Sequence, residues 1–234
     1  MPALDARLAL AASFVRDGFP VCDVGTDHAY LPIRLLLAGI SPYAIVTDIH
    51  EAPLRRACEN AARYGCADRI RPYLTDGLHG VPLEESRGAD IFICGMGGEM
   101  IARILTEAPC TRRAGIRSIL QPMSSAVDLR LSLARGGYRV EDERLTSAAG
   151  RIYTCLAVSW DGVSRQLGQA EALLGEANIR RGCASEFFAP YLRREYAAAS
   201  KKLAGRSAGA LPTEDDRALL AELRAIAERE DIVL

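Results

Sequence analysis

The sequence predicts an α/β chain: five parallel strands closed by an antiparallel hairpin, followed by a helical, coiled-coil-like C-terminal region. Three observations predict it. Short, nearly continuous apolar runs alternate with helical stretches through the first 160 residues, as in a parallel sheet covered on both faces. Two later runs are separated only by residues 146–151, too few for a crossover helix, so they must pair as a hairpin. Beyond about Asp161 strand signals cease, and apolar residues recur at helical spacing.

Taken in order, residues 19–24 read as a buried strand, followed by a helical pattern through Leu35 and Leu36. Residues 43–47 form a second strand, and 52–64 a helix with Pro53 in its first turn, where the missing N–H is no loss. Strands follow at 70–74 and 89–94, a helix at 97–105, a strand at 116–120 and a helix at 126–135. The hairpin strands are 138–145 and 152–160. In the C-terminal region Leu192, Tyr196, Ala199 and Leu203 share one helical face, and Leu219, Leu223 and Ile226 another, with a turn expected over 205–212. The two arms differ in charge. Residues 165–206 hold eight basic and four acidic groups, net +4; residues 214–234 hold three and seven, net −4. An antiparallel helical hairpin follows; the simpler alternative is a helical tail packed on the sheet. The expected domains are therefore 1–160 and 161–234.

Composition narrows the function classes. The 234 residues carry 29 basic and 30 acidic side chains, and 49% are hydrophobic, which excludes a largely disordered chain. Arg34 interrupts the long apolar stretch at 31–40, so no membrane span is expected, and Asp5 and Arg7 occupy the place of a basic-then-apolar leader. Seven cysteines without C-x-x-C spacing argue against a disulfide framework or metal site and for a reducing cytoplasm.

Candidate site residues gather at the carboxyl ends of successive strands, where open α/β sheets bind ligands. After the first strand runs Asp23-Val24-Gly25-Thr26-Asp27-His28-Ala29-Tyr30-Leu31-Pro32. A glycine-rich dinucleotide loop would need glycines at 25, 27 and 30, and only Gly25 is present. A pyrophosphate would meet the Asp27 carboxylate with like charge. S-adenosylmethionine has no phosphate and carries an ammonium and a sulfonium, so Asp23 and Asp27 suit it and oppose a nicotinamide dinucleotide. Asp48 ends the second strand, where an acid can take ribose hydroxyls; Asp76-Gly77 follows the third and can reach an adenine amino group. Cys94-Gly95-Met96-Gly97-Gly98 follows the fourth and lets the backbone approach a ligand closely. Cys94 reads as a small buried hydrophobe. The arginine pairs at 55/56, 112/113, 180/181 and 193/194 mostly read as solvated faces.

These residues resemble those of the bacterial tRNA adenine-22 N1-methyltransferases, class I S-adenosylmethionine-dependent enzymes. The resemblance rests on residues 23–32, the acid at 48, Asp-Gly at 76–77, Cys-Gly-Met-Gly-Gly at 94–98, Leu-Gln-Pro at 120–122 and Gly-Arg-Ile-Tyr at 150–153, and it covers 1–160. It implies a Rossmann-like, seven-stranded methyltransferase sheet. It also implies a cofactor site bordered by Asp23, Gly25, Thr26, Asp27, Asp48, Ile49, Asp76, Gly77, Cys94, Gly95 and Met96. Methyl transfer to a ring nitrogen needs no base, because N1 has a lone pair and no proton to lose. Asp27 is the expected stabiliser of charge growing on the adenine, with His28 and Tyr30 shaping or stacking on it. The Asp/Asn-Pro-Pro-aromatic run used on exocyclic amines is absent, its place taken by residues 95–98. The implied partner is tRNA, contacted by the net-positive arm at 165–206 and by Arg112 and Arg113, with the protein a monomer or weak dimer. A small-molecule methyltransferase and a non-catalytic RNA-binding protein that keeps cofactor affinity are the alternatives.

Overall fold

The structure, a computed structural model, describes residues 1–83, 88–209 and 211–234, and the chain divides into two compact units, Met1–Arg165 and Gln166–Leu234. The first unit is a seven-stranded sheet in the order β3-β2-β1-β4-β5-β7-β6. Its strands are β1 (Val21–Val24), β2 (Ala44–Asp48), β3 (Ile70–Leu74), β4 (Ala89–Gly97), β5 (Ile116–Ser124), β6 (Tyr138–Ala148) and β7 (Arg151–Trp160). The first five run parallel, and β7 lies antiparallel between β5 and β6. The expected hairpin is thus present, but its loop is only Ala149 and Gly150, both at positive φ, a geometry that matches the twist of the flanking strands.

Helices α1 (Ala6–Ala12), α2 (Tyr30–Leu37), α3 (Glu51–Arg63), α4 (Gly98–Glu107) and α5 (Ala126–Arg135) accompany the sheet. The central strands read as apolar because both faces are covered: Ile91, Phe92 and Ile93 of β4 are all fully buried, alternating between two core clusters on opposite sides of the sheet. Two strands run longer than expected. β5 continues through Pro122 to Ser124, and Ser125 enters α5 in the left-handed region at φ 53° with no side-chain cap. β4 reaches Gly97, so α4 starts at Gly98, whose α-carbon lies so near the Ser125 carbonyl oxygen that a Cβ would collide with it.

Strand order reverses between β1 and β4, so their carboxyl ends flank the crevice of the sheet. Two buried ion networks brace the unit elsewhere. Asp90, fully buried in β4, accepts the Arg16 amide at 2.7 Å and its Nε at 2.8 Å. Arg130 of α5 and Glu143 of β6, both buried, pair at 2.6 Å, and Thr154 of β7 donates to the same carboxylate.

The second unit contains α6 (Gln169–Leu174), α7 (Glu176–Arg181), α8 (Phe188–Ala208) and α9 (Glu214–Arg229). The two short helices have no counterpart in the periodicity. α8 and α9 form the hairpin that charge predicted: Asp216 of α9 takes Lys202 at 3.0 Å and Arg206 at 3.2 Å from α8. α8 continues through Gly205 to Ala208, so the expected turn over 205–212 begins later; Ala210 lies outside the described residues. Among the described residues no helix is long and apolar enough to cross a membrane.

Candidate functional site

β1 ends in Asp23 and Val24, and the chain turns at Gly25 with φ +72°. The amides of Gly25 and Thr26 both donate to the Thr47 carbonyl, at 2.8 and 3.0 Å, which pins the turn to β2. A side chain at 25 would be strained at this φ and would meet Met96 Cε. Buried Thr26 accepts the Ala29 amide on Oγ1 at 3.1 Å, and Ala29 itself is left-handed at φ 54° just before α2. Holding a non-glycine there costs on the order of 1 kcal/mol, strain of a kind that gathers at functional sites.

An open cavity of about 430 Å³ lies at this turn. The structure brings Asp23, Gly25, Thr26, Asp27, His28, Tyr30, Cys94 and Gly95 to its wall, all singled out in the sequence. Asp48, Ile49, Asp76, Gly77 and Met96 lie outside that lining. Asp48 accepts the His50 amide on Oδ1 at 2.8 Å, and Ile49 is exposed. Asp76 and Gly77 line a separate cavity of about 220 Å³. A further cavity of about 460 Å³, between α4 and α5, shares no residue with the crevice.

The acids at the strand ends are not electrostatically alike. Asp23 is half-buried, and burial pushes its carboxyl up from 3.8 to about 6, a rise only partly opposed by the Thr26 hydroxyl. Asp27 stands at the surface, where Arg56 donates to Oδ1 and His28 Nε2 lies 3.2 Å from Oδ2. Asp76 is gripped by both Arg103 amino groups at 2.9 and 3.1 Å, which hold it below the usual carboxylate range. The two acids of the β1 turn thus differ: Asp27 already has a cation beside it, whereas no arginine or lysine pairs with Asp23 among the described residues. Arg56 departs from the solvated face expected of the 55/56 pair. The His28 and Tyr30 rings stack at 5.1 Å and 11°. Burial, with Cys155 and Asp23 nearby, pushes the Cys94 thiol far up, leaving it a protonated, poor nucleophile.

Three further residues stand at or beside the site, of which the sequence offers only Gln121, as part of the Leu-Gln-Pro run. Arg7 lines the cavity, donates to Asp5 and to Met123 Sδ at 2.7 Å, and lies 5.3 Å from the Tyr153 ring. A cation in the first turn of α1 opposes the helix dipole, and that was the available signal. Buried Gln121 accepts the Gly95 amide on Oε1 at 3.3 Å. Asn60, buried on α3, donates to the His28 carbonyl at 3.1 Å.

A sheet of this order with an acid-floored crevice at its β1/β4 switch point defines an α/β ligand-binding domain of the methyltransferase class. The family model described as a methyltransferase domain matches residues 4–156. The tRNA (adenine(22)-N(1))-methyltransferase of Bacillus subtilis is 31% identical over 172 residues, covering 70% of this chain and 71% of the relative. The chain belongs to the tRNA (adenine-22-N1)-methyltransferase family. Among solved structures, the B. subtilis m1A22 tRNA methyltransferase superposes with TM-score 0.74 at 28% identity, over 98% of this chain and 96% of that one. A Streptococcus pneumoniae protein crystallised with S-adenosyl-L-methionine gives 0.79 at 31%, over 97% and 100%.

Proposed function

We infer that this chain transfers the methyl group of S-adenosyl-L-methionine to N1 of adenine 22 in tRNA. The observation that carries this reading is Asp23: a half-buried carboxyl, pushed up to about 6, on a cavity wall where no arginine or lysine pairs with it among the described residues. Such a group is stabilised by a bound cation, and a diphosphate would be repelled by it. The family's named reaction fixes the acceptor: the B. subtilis relative is a tRNA (adenine(22)-N(1))-methyltransferase.

The residues present fit the donor. Asp23 would take its ammonium, the backbone at Gly25 and Gly95 would lie close against it, and Asp48 at the end of β2 would take ribose hydroxyls. Asp76, kept ionised by Arg103, would take the adenine amino group. Bound there, the donor supplies an electrophilic methyl group on a sulfonium. The stacked His28 and Tyr30 rings would offer a flat face against which the acceptor base can stack. The Asp27 carboxylate faces the positive charge that develops on that base. No residue need remove a proton. Because N1 is a pairing edge, the base must leave its helix before it enters the crevice.

The second unit supports RNA contact through its basic arm, although Arg193 Nε is held by the Val233 carbonyl at 2.7 Å and Arg194 by Glu195. No membrane partner is needed by any of this. The test is mass spectrometry of tRNA from cells lacking this protein. Loss of 1-methyladenosine at position 22 is the expected result, and its full retention rejects the assignment.

A further inference from the structure

α3 (Glu51–Arg63) presents Arg56 and Asn60, one helical turn apart, to the turn between β1 and α2. Asn60 holds the His28 carbonyl, and Arg56 donates from Nη2 to Asp27 Oδ1. With His28 Nε2 3.2 Å from the other oxygen, the Asp27 carboxylate is fixed from both sides at the edge of the cavity. Arg56 remains 44% exposed. Among the described residues it bonds only Asp27, so Nε and Nη1 have no protein acceptor.

A guanidinium is a rigid fork of five donors, able to hold one oxyanion at one edge and a second at the next. An RNA strand delivering a base to Asp27 brings its own phosphates close to that carboxylate, and two anions repel unless a cation stands between them. The first 160 residues balance at 18 basic and 18 acidic groups, so the unit carries no net positive charge and individual placed cations matter. We propose that Arg56 bridges Asp27 and a backbone phosphate beside the extruded adenine, so that docking of the RNA strand fixes the carboxylate facing the base. The proposal rests on the tRNA reading above. It makes Arg56 a residue that both contacts the substrate and positions Asp27.

The neighbouring Arg55 provides an internal control. It is 74% exposed and pairs with Glu59 of its own helix at 3.8 Å, so its removal subtracts the same charge from a different face of α3. The experiment compares wild type, Arg56→Ala, Arg56→Lys and Arg55→Ala in methylation of a tRNA transcript across a salt series, with S-adenosylmethionine affinity measured by calorimetry. Arg56→Ala should raise the KM for tRNA about tenfold and flatten the slope of log affinity against log salt by roughly 0.7–0.9, the value of one phosphate. Its kcat should fall as well. Arg56→Lys should recover the KM but not kcat, because a point charge cannot span both anions. Arg55→Ala should stay within about twofold of wild type. Cofactor affinity should be unchanged in all of them. Equal losses in the two alanine variants, an unchanged salt slope in Arg56→Ala, or full rescue of kcat by lysine would each overturn the bridge. Wild-type protein that binds the donor yet leaves tRNA untouched would instead overturn the functional reading beneath it.

Discussion

Asp23 concentrates the chemistry of the crevice in one group. Its folded-state carboxyl sits above its ordinary value, so protonation favours the folded protein, and stability falls as pH rises from about 4 to about 6. A cationic ligand reverses that preference, because it binds the ionised form. Affinity for S-adenosylmethionine should therefore rise about tenfold per pH unit up to about 6 and level off above it, which calorimetry over pH 4.5–8 can measure. Asp23→Asn should remove the pH dependence, lower donor affinity by at least about tenfold, and raise the melting temperature of the donor-free protein at pH 8. Asp27→Ala should leave donor binding largely intact and reduce turnover by about two to three orders of magnitude, read as kcat with saturating donor; a near-wild-type rate would remove Asp27 from the chemistry. Asp23 and Asp27 were legible as candidates because two acids stand four positions apart, at the end of the first strand and on the turn that follows it. Their inequality was not legible. It depends on Arg56, which lies 29 positions beyond Asp27 and reaches it only through the packing of α3 on the sheet.

The elements around the site are tied by close backbone approach and by buried charge. Gly98 opens α4 against the Ser125 carbonyl at the entrance of α5, so Gly98→Ala should destabilise the fold by about 1–3 kcal/mol and, by displacing the 94–98 turn, weaken donor binding as well; chemical denaturation and calorimetry read the two effects separately. Arg130 and Glu143 pair α5 to β6 inside the apolar core. Glu143→Ala should cost about 3–5 kcal/mol by stranding the arginine. Strand and helix types were readable from periodicity because the central parallel strands β1, β2 and β4 are buried on both faces, whereas the edge strand β3 exposes Arg71, Pro72 and Leu74. Their ends were less readable. The extensions of β4 and β5 depend on pairing with each other, Cys94 with Gln121 and Gly97 with Ser124, which local sequence does not encode. The short α6 and α7 escaped notice because six-residue helices carry under two turns of any pattern.

At the level of the whole chain, a near-neutral molecule is proposed to bind a polyanion, so affinity must come from a few placed cations. The double variant Arg193→Ala/Arg194→Ala should weaken tRNA binding by less than the net charge of its arm suggests, about twofold to fivefold, since both side chains already have protein partners; binding assays at two salt concentrations check it. The charge separation of the C-terminal arms was visible in the sequence and does pair α8 with α9, through Lys202, Arg206 and Asp216. The pairing spends part of the positive charge that the sequence alone assigns to RNA.

The most direct measurement is nucleoside mass spectrometry of a tRNA transcript incubated with the purified protein and S-adenosylmethionine. The account predicts 1-methyladenosine approaching one per transcript, abolished when adenine 22 is replaced by guanine. Methylation that survives that replacement, or its absence from a protein shown to bind the donor, would contradict it.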